Sequence, residues 1–516
     1  MGKGKKVGQA EGVKKGGKNV AAEDVMEGQE LLEMDQAIAI LKTTRPTFYR
    51  WLRAGKIKGM KLGRQWRFYR EEIERFLKGE EPHVDLPANI RPLVQTLRKQ
   101  ALGGCGRDVT GGKDDVGAAV SLMLHVAYHM RASDIHVAPH MQEAAKGAIA
   151  ILRVRVDGIL HVLAEFDIRL LPAIVERWKA LANCSVKENK RPQDGRILIN
   201  LLDRNQAKKH LDLRVNFLPA CLGESVTVRI LDASAVRLRL DHFDYAESDR
   251  AKLLRAIEAP WGMVIVSGPT GSGKTTTLYA CINHVSKPGD KVMTIEDPVE
   301  YFLPWAVQVQ LIVKEGLTFA TGMRAILRSD PDVIMVGEIR DMETLTLSQQ
   351  AALTGHLVLA NLHADEAARA LIRMVDMGSD PFLVGDSTKM VMAQRLVRKL
   401  CSDCSVEDTP PETALIRAAQ FARSGGLGWD TLPKQFRKAV GCKKCGQTGF
   451  KGRIAIVEVL EVTPEIASAL RRGASVEELR TIAVGQGMTT MAADGIRRAA
   501  NGTTTIAEVI RTLGLK

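Results

Sequence analysis

Nine consecutive residues, Gly268, Pro269, Thr270, Gly271, Ser272, Gly273, Lys274, Thr275 and Thr276, carry the most concentrated chemistry in the sequence. The glycines let backbone N–H groups wrap a phosphate. Lys274 has the reach to meet the β- and γ-phosphates of a nucleoside triphosphate, and the Thr275 hydroxyl suits a Mg²⁺ ion. Met263 to Val266 reads as a short buried strand before the loop, and Lys274 to His284 as a helix after it. Strand, turn and helix N-terminus together supply aligned donors and a favourable dipole for an anion. An accidental Gly-rich turn would lack that setting.

Three further groups follow in order. Thr294 to Glu300 leads an apolar strand into Glu296, Asp297 and Glu300, carboxylates that can order Mg²⁺ or a water near the γ-phosphate. Val333 to Val336 is another apolar strand, running into Gly337 and Glu338. A carboxylate at a strand end is placed to polarise an attacking water, so Glu338 is the expected water-orienting group, with Glu296 and Glu300 assisting. His356 and His363 bracket a third strand-like run and are expected to sense the γ-phosphate. One such histidine alone is more often structural; the ordered series gives these two their role.

Cys401 and Cys404, then Cys442 and Cys445, form two C-x-x-C pairs with 37 residues between them. Four thiolates suit structural Zn²⁺, and Gly446 and Gly449 allow the tight turn of a knuckle. Two redox pairs or four inert thiols are the alternatives. Cys105, Cys184, Cys221 and Cys281 stand alone and read as small apolar residues. His125 and His129 share a helical face without a third ligand and read as packing residues.

These groups need a scaffold, and 516 residues with 45% apolar content predict three or four domains. Residues 1–28, rich in Gly and Lys, read as a disordered basic tail. Residues 29–78 form a compact module, and 79–113 a linker with some helix. Residues 114–240 read as a mixed α/β domain. Residues 241–400 alternate strands and helices around the phosphate loop, as a parallel sheet requires. The paired cysteines occupy 401–450, and short amphipathic helices 451–516. No run of eighteen apolar residues occurs, and Met1 to Lys6 has no apolar stretch behind it, so neither a membrane span nor a signal peptide is expected. The expected location is cytoplasmic. The net charge of +13 is uneven: residues 1–78 hold 18 Lys/Arg against 10 Asp/Glu. A basic arm suits nucleic acid, an anionic membrane surface or an acidic partner.

Within the first module, Asp35 to Leu41 reads as a helix. Thr44 caps a second helix with Pro46 in its first turn, Lys61 to Phe68 is a hairpin wing, and Arg70 to Leu77 a third helix. Gln36 to Arg70 holds ten Lys/Arg and no Asp/Glu. This suits phosphate contacts and groove entry on duplex DNA; a fold reused for protein contacts, its charge merely solvated, is the alternative. Asp35 to Ala37, Arg45 to Trp51, Gly55 and Gly63 to Arg67 resemble the excisionase and MerR-like winged helix-turn-helix family. The resemblance implies a recognition helix bearing Arg45, Thr47, Tyr49 and Arg50, and a wing bearing Arg64 and Arg67.

The motor motifs together resemble the type II secretion and type IV pilus ATPases, ring-forming motors with a RecA-like core. The resemblance rests on Gly268–Thr276, Thr294–Glu300, Phe319–Asp341 and Thr354–His363. Upstream it rests on Ala132–His136, Arg153–Gly158, Gln193–Arg196, Asp212–Arg214 and Gly223–Arg229, covering about 110–516 in all. It implies ATP and Mg²⁺ as ligands, a homo-hexamer, a membrane-embedded platform as partner, and arginines from the upstream domain at the nucleotide. Arg196 and Arg214 carry over, with Arg229 as a further candidate; a guanidinium fork suits a phosphoryl-transfer transition state. Paired cysteines occur in the assembly and secretion branches and are typically missing from the retraction branch. Departures are Ala138 in place of an acidic residue, an apparent insertion at Arg204 to His210, Gly337 where many such ATPases carry an Asp for Mg²⁺, and Ala360, Asn361, Ala364 and Asp365 around the second histidine.

The expected protein is thus an ATP-hydrolysing ring motor for pilus assembly or secretion, with a helix-turn-helix in front, a zinc knuckle and a helical C-terminus. The alternative is a DNA-gripping motor or regulator for DNA uptake or transfer.

Overall fold

The computed structural model describes residues 31–53, 57, 59–62, 65–77, 89–102, 115–142, 147–202, 208–232 and 239–514. The tail 1–28, Arg64, Cys105 and most of the apparent insertion after Arg204 lie outside the described residues. The chain divides into two compact units, Met1–Pro87 and Ala88–Lys516.

In the first unit, β1 (Leu31–Glu33), β2 (Met60–Leu62) and β3 (Gln65–Tyr69) pair antiparallel in the order β1-β3-β2. Helices Met34–Ile40, Arg45–Arg53 and Arg70–Leu77 complete it. Phe48, Phe68, Ala37, Ile57 and Ile73 form its core, with the Phe48 and Phe68 rings edge to face at 5.0 Å. Burying Phe48 turns the neighbouring Tyr49 and Arg50 outward on the second helix. Two helices, a hairpin and a third helix match the order expected from the sequence.

The second unit begins with β4 (Ala132–Met141), β5 (Ala148–Val156), β6 (Ile159–Asp167), β7 (Gln193–Leu202), β8 (Lys208–Ala220) and β9 (Gly223–Asp232). They form one antiparallel sheet in the order β6-β5-β4-β9-β8-β7. Helices Arg91–Leu102, Val116–His129 and Leu171–Leu181 share a core with the buried strand residues, which include Ile135, Val154, Val215 and Val228. Strict alternation along the strands sends the intervening side chains to the other face. The helix Arg91–Leu102 therefore belongs to this domain and not to the expected linker 79–113: Leu93, Val94 and Leu97 are buried in its core.

The larger sheet contains β10 (Gly262–Ser267), β11 (Val292–Glu296), β12 (Ala306–Gln310), β13 (Val333–Val336), β14 (Leu357–Leu362) and β15 (Thr388–Leu400). After β16 (Val406–Glu407) and β17 (Arg437–Lys438), β18 (Phe450–Glu461) closes it. The order is β12-β11-β13-β14-β10-β15-β18, parallel except for β18, which runs antiparallel to β15. Met263 to Val266 of β10 are apolar without alternation because both faces are covered: Met263 and Ile265 pack into one core, Val264 and Val266 into the other. The cysteine segment is an excursion between two paired strands of this sheet. The expected boundaries at 400 and 450 thus cut through one folded layer, because β18 supplies Val457, Val459 and Leu460 to its cores. Four helices, Pro464–Arg471, Val476–Gly485, Met491–Ala500 and Ile506–Leu513, follow. Among the described residues no helix is long and apolar enough to cross a membrane.

Candidate nucleotide-hydrolysis site

The phosphate loop leaves the C-terminal end of β10, and the helix Lys274–Val285 starts at Gly273. Gly268, Gly271 and Gly273 have φ of 144°, 79° and 90°, a region costly for any residue with a Cβ. Lys274 Nζ donates to the carbonyls of Gly268 (2.7 Å) and Pro269 (2.9 Å). Burial pulls its pKa down to about 8, against an opposing pull from the negative charge of Glu338. Thr270, Gly271, Gly273, Lys274, Thr275 and Thr276 line a cleft of about 1010 Å³; Gly268, Pro269 and Ser272 complete the loop.

The carboxylates and one histidine reach the same cleft from neighbouring strand ends. Glu338 follows β13; its Oε1 lies 2.8 Å from His363 Nε2, and its Oε2 accepts from Arg340. His363 follows β14, and its Nδ1 is 3.2 Å from the Gly268 carbonyl. Arg340 also pairs with Asp297 at 3.2 Å. Gly337 lies where β13 closes on β11: a Cβ there would stand 3.0 Å from the Ile295 carbonyl oxygen, a tight contact. Glu296 lines the cleft but is 3% exposed and spoken for: it accepts from Tyr279, from Thr294 at 2.6 Å and from Gln308 at 3.0 Å. Glu300 lines the cleft, and burial raises its pKa, partly offset by Arg214 and Arg229. The Thr275 hydroxyl has no protein partner among the described residues. It lines the same cleft as Asp297, Glu300 and Glu338, whose carboxylates are oxygen donors of the kind Mg²⁺ takes.

His356 is elsewhere. It precedes β14, at the opposite end of a strand six residues long, and its Nδ1 lies 2.9 Å from the Ala351 carbonyl. At about 3.3 Å per residue, the two histidines are separated by roughly 20 Å of strand. His356 therefore does not reach the cleft.

The facing wall comes from the upstream sheet. Cross-strand register places Arg196 (β7), Arg214 (β8), Arg229 (β9), Asp134 (β4) and Arg155 (β5) in one row. The row stands on the face opposite the helices. Arg155, Arg229 and Asp134 line the cleft; Arg229 Nε lies 3.1 Å and Arg155 Nε 3.8 Å from Asp134. Arg214 donates to the Val299 carbonyl at 2.7 Å, bridging to the acidic loop. Arg196 does not line the cleft: it makes a two-point ion pair with Asp212, at 2.9 and 2.7 Å. Motif reading alone missed Arg155, Arg453 of β18 and the part of Arg340 in holding Glu338. Alternation in Arg153 to Val156 was the available signal for Arg155. Asn361, a departure from the family pattern, also lines the cleft, with a buried Oδ1 that has no protein partner.

The four cysteines converge. Their Sγ atoms all lie within 4.8 Å of one another, with Cys401–Cys442 at 4.0 Å, Cys404–Cys445 at 3.8 Å and Cys442–Cys445 at 3.7 Å. Four thiolates about 2.3 Å from a central Zn²⁺ would be about 3.8 Å apart, so the cluster fits the ion. Cys445 Sγ also accepts from the backbone N–H of Cys442 and Gly449. Such bonds stabilise thiolate character. In the first unit, Tyr49 and Arg50 are exposed, Thr47 is bonded to Thr44, Arg45 pairs with Asp35, and Arg67 with Glu33.

A phosphate loop on a mostly parallel sheet, a carboxylate at the next-but-one strand end and arginines across the cleft define a P-loop ATPase. Residues 112–511 match the profile described as Type II/IV secretion system protein, and the chain belongs to that family. Residues 31–81 match a helix-turn-helix domain. The chain is 41% identical over 392 residues to the type II secretion system protein HxcR of Pseudomonas aeruginosa, 76% of each chain. It is 36% identical over 443 residues to the type IV pilus assembly ATPase PilB of Myxococcus xanthus, covering 86% of this chain and 75% of that one. In fold it is similar to the crystal structure of the ATPase DotB of Yersinia pseudotuberculosis, with a TM-score of 0.57 at 20% identity over 79% of this chain and 96% of that one.

Proposed function

We propose that the chain is the motor subunit of a ring, hexameric by analogy with its family. It works at the cytoplasmic face of a membrane platform that assembles pilin-like subunits or drives secretion. The observation that carries this reading is the cleft itself. Its floor is the phosphate loop and its facing wall is the arginine row of a separate sheet domain, so ATP binding and phosphate release change what holds the two domains together. Lys274 and Thr275 hold phosphate and Mg²⁺, Glu338 orients water, and Arg229 and Arg155 neutralise charge on the transferred phosphoryl group. The cysteine cluster holds Zn²⁺ and stays outside the reaction. The names of the relatives support secretion or pilus assembly as the setting.

The test is ATP hydrolysis by the full chain, with its mass in solution measured by light scattering with and without MgATP. Activity should accompany a ring-sized species, and Lys274→Ala should abolish turnover while the chain still folds. Turnover retained by Lys274→Ala would refute the site.

A second reading concerns the N-terminal unit's own role: an exposed Tyr49 and Arg50 on a helix, in a stretch whose charged residues are all Lys or Arg, have the chemistry to contact duplex DNA. Stimulation of hydrolysis by DNA that fades with salt and disappears on deleting residues 1–78 would support it.

A further inference from the structure

The phosphate loop is gripped from behind by a chain of side chains outside all the nucleotide motifs. Gln394, on β15 beside β10, is 1% exposed. Its Nε2 donates to the Ser272 carbonyl at 2.7 Å, and its Oε1 accepts from the Thr277 hydroxyl at 2.9 Å. That hydroxyl lies 3.3 Å from the buried Tyr245 hydroxyl. Gln394 also shapes the loop sterically. A Cβ on Gly268 would stand 2.5 Å from the backbone carbonyl oxygen of Gln394, and one on Gly273 would stand 3.1 Å from the side-chain Nε2 of Gln394. Two of the three loop glycines thus face this one residue.

The side-chain chemistry is specific. An amide donates from one end and accepts at the other. A carboxylate cannot donate to the Ser272 carbonyl, and an apolar side chain leaves that carbonyl without its donor and the Thr277 hydroxyl with Tyr245 alone. In a trans peptide, C=O and N–H point in opposite directions. Fixing the Ser272 carbonyl on Gln394 therefore fixes the Gly273 N–H the other way, and Gly273 lines the cleft. We propose that Gln394 is a positioning residue of the phosphate loop: by holding the Ser272 carbonyl it aims the Gly273 N–H at the nucleotide phosphates, setting affinity without touching the nucleotide. The inference rests on the ATPase reading of the site.

A double-mutant cycle on the full chain tests it, with wild type, Gln394→Met, Thr277→Val and the double variant. Each is measured for affinity toward a fluorescent ADP analogue with Mg²⁺, for KM and kcat with ATP, and for thermal midpoint. Gln394→Met should weaken nucleotide affinity roughly 10-fold or more and raise KM in step, with a smaller change in kcat. The double variant should lie within about twofold of Gln394→Met, because the hydroxyl has already lost its bond to Gln394 and no longer acts on the loop through it. A lower thermal midpoint with affinity and KM unchanged would mean that Gln394 only stabilises the fold, and the proposal fails. Effects that multiply in the double variant would also overturn it. If Gln394→Met does not fold, Thr277→Val alone decides: about threefold weaker affinity supports the proposal, and unchanged affinity rejects it. Lys274→Ala in the same series separates the two failures: turnover retained there would refute the ATPase site on which the proposal rests, whereas turnover lost there with affinity unchanged in Gln394→Met would refute the role of Gln394 alone.

Discussion

Glu338 and His363 sit 2.8 Å apart at the ends of the adjacent parallel strands β13 and β14, and the same imidazole touches the Gly268 carbonyl at 3.2 Å. One ring therefore ties the carboxylate proposed to orient water to the first residue of the phosphate loop. Arg340 holds the other oxygen of Glu338. A carboxylate fixed on both sides keeps its direction toward a water in the cleft, which is the preorganisation that hydrolysis needs.

Removing the carboxylate should cost chemistry and leave binding largely intact. Glu338→Gln keeps shape and loses the charge, and is expected to lower kcat by about 10²- to 10³-fold with KM within a few-fold. His363→Ala, which releases Glu338 and the loop together, should lower kcat by about 10- to 100-fold. His356→Ala should change neither. Steady-state kinetics at saturating Mg²⁺ checks all three; a His356→Ala loss as large as that of His363→Ala would contradict the placement of the two residues.

The two histidines also show where the sequence runs out. Both flank one strand, and nothing in residue type says which strand end carries the ligand. The answer comes from sheet direction: in a parallel sheet the loops after the strands gather at one edge, and only His363 follows its strand. The phosphate loop, Glu338 and the cysteine pairs were legible because each is local, with its chemistry in a few consecutive residues. The arginine row was only partly legible. Arg196, Arg214 and Arg229 stand in comparable motifs and share one cross-strand row, and only tertiary packing separates Arg196, bound to Asp212, and Arg214, bonded to the Val299 carbonyl, from Arg229 in the cleft. Gln394 carries no motif signal, because its partners lie 122 and 117 residues away in sequence.

Lys274 should make nucleotide affinity pH-dependent. Burial brings it to about 8 in the nucleotide-free site, and phosphate binds the protonated form. Below that value the lysine is already charged and affinity is flat. Above it, binding must take up a proton, so affinity should fall toward tenfold per pH unit. Titration with an ADP analogue from pH 7.5 to 9.5 reads this directly. Glu338 raises the lysine pKa, so Glu338→Gln should start the fall at lower pH. A midpoint that stays in place or rises would separate Glu338 from Lys274.

Zinc should be present at about one ion per chain and be lost in Cys404→Ser, because a tetrahedral site closed by four thiolates does not survive on three. The cluster joins the two ends of the excursion between β15 and β18. Losing it should lower the thermal midpoint by roughly 5–10 °C. Metal analysis after exhaustive dialysis and a melt with and without a strong chelator are sufficient. A chain that purifies without zinc and melts identically with chelator would leave the cysteines as packing.

The arginine row yields the sharpest contrast within one sheet. Arg229 lies in the cleft, steadied by Asp134, whereas Arg196 is bound at two points to Asp212 outside it. Both are guanidiniums on neighbouring motifs, so a general effect of lost positive charge would treat them alike. Arg229→Ala removes a charge facing the phosphates and is expected to lower kcat by about 10²- to 10³-fold; Arg229→Lys should recover little, because the ammonium lacks the fork. Arg196→Ala breaks an exposed ion pair and should change kcat less than about threefold. Asp134→Asn weakens the support for Arg229 and Arg155 together and should fall between the two. Measuring kcat across protein concentration separates sites within one chain from sites between chains. A loss in Arg196→Ala equal to that in Arg229→Ala, appearing only where rings form, would place Arg196 at the cleft of a neighbouring subunit.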